Sequence, residues 1–307
     1  MATFPDSFIR SNMVLNRKQV EQIDEQLRAR WKLFCPGSLD KRARATFEKI
    51  PHAATARLEN QIKKRFLGTV SEEDDLAFYD EIAQPPFGPW VCSLRRSYIL
   101  DTIVAADTYI TIYQPKSVVD IGTGIGFGAE ILARRHPTIN FTGADRSGGS
   151  IRVAKEKSVG LMNLNYMQAD LLKEPDLGTY DLAISLAGIP CGTTELTAAL
   201  VARTVNMLKP NGILLGYSTN CLAQERHEAA QGLGLVYKSV VGGFELFGEN
   251  GATWNSAPFE LFQLGAKDRP EAIGYDWNTE DWPAFANYVN GCSLDYDRHT
   301  FAYHRTE

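Results

Sequence analysis

Val118-Val119-Asp120-Ile121-Gly122-Thr123-Gly124-Ile125-Gly126-Phe127-Gly128 joins a short apolar run to a glycine cluster, and the cluster to a helix-forming segment. Ser117 to Ile121 reads as a buried parallel strand, because such a strand is covered on both faces and its residues need not alternate. Ala129 to Arg135 has helical composition. A strand, a glycine loop and a helix in that order let backbone approach a ligand closely and aim helix N–H groups at it. The glycines follow an acid at the strand end, in the pattern Asp-x-Gly-x-Gly-x-Gly.

Downstream the alternation continues. A second strand, Asn140 to Ala144, delivers Asp145, and a helix around Ser150–Lys157 follows. Asn165–Gln168 is a third strand ending near Asp170, and Tyr180–Ala187 a fourth, followed by a helix at Thr193–Leu208. Lys209-Pro210-Asn211-Gly212 reads as a turn into a fifth strand, Ile213–Ser218. A helix at Cys221–Gly232 leads to a sixth strand, Leu235–Val241. Phe259–Leu264 is expected as a last strand, reached from the sixth by a glycine-rich turn. Strands alternating with helices give a parallel sheet covered on both faces. A last strand arriving without a crossover helix must run antiparallel.

Upstream the period is helical. Val20, Ile23, Leu27, Trp31 and Phe34 make one apolar stripe,. Ser38 is placed to cap a second helix reaching Ile50, and Ala54, Leu58, Ile62 and Phe66 mark a third beginning near Pro51. Ser71-x-x-Asp74 opens a fourth, carrying Leu76, Tyr79 and Ile82. Gln84 to Trp90, with three prolines, is a loop, and a fifth helix spans about Cys92 to Ile112,. Residues 268–307 are acidic and rich in aromatics such as Trp277, Trp282 and Tyr288, which suit packing on the core or walling a pocket,.

Bulk properties narrow the function. The 307 residues are 44% hydrophobic and 22% charged, as in an ordinary globular protein,. A net charge of −5 argues against a chain built mainly to hold nucleic acid,. Lys63-Lys64-Arg65 belongs to a basic stretch best read as a solvated helix face,. Five scattered cysteines, without metal-ligand spacing, suit reduced thiols in a cytoplasmic protein,. The chain opens without a signal-peptide pattern and holds no run long enough to span a membrane, so neither membrane nor nucleic acid is an expected partner.

The glycine segment, with acids at successive strand ends, resembles the motifs of class I S-adenosylmethionine (SAM) dependent methyltransferases over about Ser117–Lys267. The resemblance implies an α/β, Rossmann-like, mostly parallel seven-stranded sheet at 113–267, with a helical N-terminal addition at 1–112 and a short C-terminal extension at 268–307. It implies SAM as cofactor. Gly122, Thr123, Gly124 and Gly126 would line the methionine portion, with Asp120 holding its amino group indirectly. Asp145, nineteen residues past Gly126, would accept from the ribose hydroxyls, with Arg146 beside it. Asp170 would accept from the adenine amino group while the N–H of Leu171 or Ala169 faces a ring nitrogen. Ser185, at the end of the fourth strand, is counted with the cofactor-binding residues, and the stretch from it to Cys191 is where this family often meets its acceptor.

The chemistry is harder to assign. Methyl transfer asks mainly for in-line positioning and exclusion of water, and a base only where the acceptor must lose a proton. Ser185 to Cys191 lacks the Asn/Asp-Pro-Pro-aromatic motif of enzymes that methylate base or amide nitrogens. The fourth strand ends without an acid, Asp181 lying at its start, so a metal-dependent reaction is not expected. His52, His227, Arg95 and Arg96 are the catalytic or substrate-binding candidates. His136 reads as a solvated helix-end residue. The expected acceptor is a small metabolite methylated on O or N. The alternatives are a peptide acceptor docked on the N-terminal helices, an NAD-dependent oxidoreductase (Gly124-x-Gly126-x-x-Ala129 fits a dinucleotide fingerprint formally) and a catalytically silent SAM-binding subunit. The N-terminal helices are candidates for substrate cover, docking or homodimer formation.

Overall fold

A computed structural model describes residues 17–33, 71–84, 114–173, 177–185 and 194–217, the strand segments 235–239, 245–247, 253–255 and 259–264, and isolated helical positions between 57 and 111. In chain order the described elements are α1 (Arg17–Trp31), α2 (Glu72–Ile82), β1 (Ser117–Ile121), α3 (Phe127–Arg135), β2 (Asn140–Asp145), α4 (Gly148–Lys157), β3 (Leu164–Gln168) and β4 (Tyr180–Ser185). They continue with α5 (Thr194–Asn206), β5 (Leu208–Tyr217), β6 (Leu235–Ser239), β7 (Glu245–Phe247), β8 (Thr253–Asn255) and β9 (Phe259–Leu264).

Seven strands form one sheet in the order β3-β2-β1-β4-β5-β9-β6. β1 to β5 pair in parallel, and β9 runs antiparallel to both β5 and β6. The expected Rossmann-like sheet and its reversed last strand are both present. The order turns at β1, where the chain goes first to β2 and β3 and then back across to β4. Beyond the carboxyl ends of β1 and β4 such a sheet opens a crevice. β1 is buried at four of its five positions, because helices cover both of its faces,. Val119, Ile121, Ala183, Leu208 and Leu214 pack in one core layer, and Ala129, Ile151, Ala154 and Tyr166 in another.

Three local expectations change. Lys209 to Gly212 are not a turn ahead of β5 but lie inside it: Tyr180 pairs with Leu208 and Leu182 with Ile213, so the four residues bulge out between two paired positions. Lys209 then reaches Asp181 at 3.1 Å and the Ser117 hydroxyl at 3.0 Å. The glycine-rich connection to β9 contains a small hairpin, β7–β8. On α2 the most buried side chains are Phe78 and Asp75, not the expected stripe of Leu76, Tyr79 and Ile82. The helix is rotated so that an acid faces the sheet domain. Its start is as expected, with the Ser71 hydroxyl accepting from the Asp74 amide at 3.1 Å.

α1 packs on α3. Ile23, Leu27 and Trp31 are buried, as their spacing requires, and the Trp31 ring meets Phe127 edge-on at 6.3 Å. Below that contact lies Glu130, with no exposed surface. Its carboxylate accepts from Arg30 at 2.6 Å, from the Trp31 indole at 3.1 Å and from Arg134. Asp107 is a second anchor, taking Arg135 and His136 at 2.7 Å each and Gln19 besides. His136 caps α3 but is not solvated, since its ring nitrogen is held by Asp107. Arg30 and Arg134 keep access to water, but the buried Trp31 indole would lose its acceptor and a cavity would open, so Glu130→Ala should lower the unfolding free energy by about 1–3 kcal/mol,. Urea denaturation measures it, and a loss below ~1 kcal/mol would contradict the arrangement.

The second and third expected helices and the 84–90 loop lie largely outside the described residues, as do Phe34 and residues 268–307. Among the described residues no helix is long and apolar enough to cross a membrane.

Candidate functional site

The glycine loop leaves β1 at Ile121 and turns back on β2. Gly122 and Thr123 both donate to the Ala144 carbonyl, at 2.8 and 3.1 Å, and Gly126 donates to the Thr123 carbonyl at 3.0 Å. Gly122, Gly124 and Gly126 all have positive φ, at 68°, 55° and 88°, a region that residues with a Cβ enter at a cost,. A Cβ built on Gly124 meets nothing within 4 Å, so the crest of the loop faces open space. At Gly126 a Cβ would lie 2.6 Å from both Ala154 Cβ and the Tyr166 hydroxyl. Tyr166 explains that closeness: from β3 its hydroxyl donates to the Gly126 carbonyl at 2.9 Å. Sequence reading passed over this tyrosine. The available signal was an aromatic on the strand facing the glycine-loop helix.

Asp120 lies under the loop and is buried. The Thr123 hydroxyl donates to its Oδ2 at 2.7 Å, while Oδ1 is buried without a hydrogen-bond partner. Burial pushes its pKa up to about 7 despite the Thr123 and Ala129 donors, and the nearby Asp145 charge adds to the rise,. That oxygen is sealed from solvent, so Asp120 acts on a ligand through its charge, which a cation over the loop would stabilise,.

Asp145 ends β2. Its Oδ2 accepts from the Gly124 amide and its Oδ1 from the Ser147 amide, each at 2.8 Å. Burial raises its pKa, against those two amides and Arg146, while Asp80 adds to the rise. Each carboxylate oxygen keeps a second acceptor position. Asp145 therefore clasps the loop crest and can still take hydroxyl donors. The Arg146 guanidinium is engaged by Asp75 at 2.6 Å.

After β3, the Ala169 amide donates to the Asp145 carbonyl at 2.9 Å, so of the two amides expected to meet a ring nitrogen only that of Leu171 is left to do so. Asp170 is half-buried. Its Oδ1 accepts from the Leu172 amide at 3.0 Å and its Oδ2 pairs with Lys173 at 3.3 Å. Ser185 is buried at the end of β4, beside the turning point of the sheet. His52, His227, Arg95, Arg96 and the five cysteines lie outside the described residues. Among the described residues no group of three or more His, Cys, Asp or Glu could hold a metal ion. Asp181, at the start of β4, is bound to the Ser117 amide and hydroxyl at 2.9 Å each. Burial raises its pKa, but Lys209 and Ser117 together hold it below the ordinary value.

Residues 118–212 match the family model described as a methyltransferase domain. Over those residues the chain carries a segment similar to methyltransferase domains, built on a Rossmann-like, mostly parallel sheet. That segment begins at β1 and ends within β5, so it contains the glycine loop and all three acids. Among curated proteins, the chain is 31% identical over 119 residues to the trans-aconitate 2-methyltransferase of Rhodopseudomonas palustris (strain BisB18), covering 38% of this chain and 44% of that one. It is 27% identical over 106 residues to the malonyl-[acyl-carrier protein] O-methyltransferase of Halalkalibacterium halodurans, covering 33% and 38%. The methyltransferase match thus spans less than half the length of these relatives. Among solved structures, the N-methyltransferase NodS of Bradyrhizobium japonicum WM9 aligns at a TM-score of 0.46 and 14% identity, over 62% of this chain and 98% of that one.

Proposed function

We propose that the chain transfers the methyl group of SAM to an oxygen or nitrogen of a small-molecule metabolite, releasing S-adenosylhomocysteine (SAH). The observation that carries this reading is the pairing of a buried, half-satisfied Asp120 beneath the glycine loop with an Asp145 that clasps the crest of the same loop. The residues fit the cofactor's chemistry. Asp120 supplies negative charge toward an α-ammonium, and Gly122, Thr123, Gly124 and Gly126 leave open backbone for the methionine portion. Asp145 takes ribose hydroxyls, flanked by Arg146. Asp170 and the Leu171 amide take the adenine edge, with Ala169 and Ser185 lining the ends of β3 and β4.

Bound SAM supplies an electrophilic methyl and its own leaving group. The chain's part is to orient the donor, present the acceptor in line and keep water out. We assign residues 1–112 to covering the acceptor, built onto the 113–267 domain, with 268–307 as an added wall. The ion pairs from α2 to residues just past β2 and β3, Asp75 with Arg146 and Glu72 with Lys173, support that assignment, because a freely docking peptide module has no need of them. The names of the two curated relatives put acidic oxygen acceptors first. A carboxylate attacks as the anion and requires no general base.

The test is transfer of radiolabelled methyl from SAM to a panel of small di- and tricarboxylic acids, hydroxylated aromatics, amines and mixed peptides. Label in a small acid or phenol supports the reading. Label confined to peptides hands the N-terminal helices to docking, and no label with intact SAM binding favours the silent subunit.

A further inference from the structure

The three amide and hydroxyl contacts around Ser147 form a chain from the N-terminal region into the loop. Asp80, near the end of α2, accepts at Oδ1 from the Ser147 hydroxyl at 2.6 Å and from the Gly149 amide at 2.9 Å. Ser147 caps α4, its hydroxyl accepting from the Ser150 amide at 3.0 Å, and its own amide donates to Asp145 at 2.8 Å. Asp145 in turn holds the Gly124 amide. Two further straps run alongside. Asp75 pairs with Arg146, and Lys173 bridges Glu72 at 2.8 Å and Asp170 at 3.3 Å. The approach of α2 to α4 is close enough to demand glycine: a Cβ on Gly149 would lie 2.7 Å from the Asp80 carbonyl oxygen and 2.9 Å from its Cα. Gly149 therefore serves the seating of α2, while its neighbour Gly148 packs against Gln168 of β3.

We propose that α2 is a clamp of the cofactor site and that Asp80 is its positioning residue, fixing Asp145 and the Gly124 crest through Ser147. Asp80 does not touch the cofactor. It removes freedom from the β2–α4 turn, so that Asp145 is ordered before ligand arrives and less ordering is left for binding to supply. Anything that shifts α2 then changes cofactor affinity, which couples the N-terminal helices to the site they cover.

The inference rests on the methyltransferase reading for its ligand but not for its relay, and the test separates the two. Amide hydrogen exchange is followed in the full-length, ligand-free protein and in Asp80→Ala, Asp80→Asn and Gly149→Ala. SAH affinity is measured on the same samples, with Asp145→Ala as control. Asp80→Ala and Gly149→Ala should speed exchange at residues 122–126 and 145–150 while leaving β4 and β5 at wild-type rates, and should weaken SAH by about tenfold. Asp80→Asn keeps an oxygen acceptor for both donors and should restore most of the affinity. Unchanged exchange in the loop overturns the relay, and so does a uniform acceleration across the sheet, which would make Asp80 a plain fold contact. If the loop responds as expected but neither wild type nor Asp145→Ala binds SAH, the relay stands and the cofactor reading falls.

Discussion

Gly126→Ala is expected to abolish SAM binding, weakening it more than about 100-fold, and to lower stability by about 2–4 kcal/mol. Two costs combine. The backbone sits at φ 88°, where an L-residue carries roughly 1–2 kcal/mol of strain,. The added methyl would also lie 2.6 Å from Ala154 Cβ and the Tyr166 hydroxyl, both in the buried layer that α3 and α4 form with β3. Neither neighbour can step aside easily, because Tyr166 is bonded to the Gly126 carbonyl and to Ser158. Relief must come from the loop, which would lose its seat on β2. Gly124→Ala is the informative contrast. Its φ of 55° carries similar strain, yet its Cβ meets open space, so stability should fall by only about 1 kcal/mol while affinity still drops,. Equilibrium unfolding and SAH calorimetry on the two variants measure both quantities. Equal stability losses would contradict the placement of the loop.

The second large effect is a pH dependence. Asp120 has its pKa raised from 3.8 to about 7, chiefly by burial. A carboxyl group raised on folding binds its proton more tightly in the native protein than in the unfolded chain. Its contribution to stability therefore falls as pH rises from about 4 to about 7, and is flat above. Ligand affinity runs the opposite way. An ammonium is attracted by the ionised form, so SAM and SAH should bind up to about tenfold more tightly for each pH unit gained below 7, with a plateau above it. Burial also raises Asp145, so the diagnostic comparison is with Asp120→Asn. That variant should be more thermally stable than wild type at pH 8, bind SAH more weakly, and lose the dependence near pH 7. Thermal melts and SAH titrations from pH 5 to 9 decide it. A variant that is less stable at pH 8 and keeps the slope would show that Asp120 is already charged and satisfied in the free protein.

The parts of the fold that were legible in sequence are those whose burial has one solution. β1 is covered on both faces, so its apolar run needs no alternation, and its bounds were read correctly from Ser117 to Ile121. The reversed β9 followed from connection length alone. The acids at the strand ends could be placed because glycine spacing marks where β1 stops. What stayed hidden depends on packing between distant segments. Nothing local marks out Asp80 on α2, and only docking against Ser147 and Gly149 gives it a role. His136 looked like a solvated helix end because its partner, Asp107, lies in another helix. Lys209 to Gly212 carry turn chemistry, but the strands on either side resume pairing and absorb them as a bulge. The Ala169 amide could not be ruled out as an adenine contact until its bond to Asp145 was seen.

The measurement that bears most directly on the central claim is an equilibrium titration of the full-length protein with SAM, SAH and NAD, repeated with Asp145→Ala and Asp170→Ala. If the glycine loop with its flanking acids is a SAM site, the first two ligands bind, NAD does not, and both substitutions weaken binding. Asp145→Ala should have the larger effect, because it also releases the Gly124 amide. Binding of NAD alone, or SAH affinity untouched by Asp145→Ala, would contradict the account.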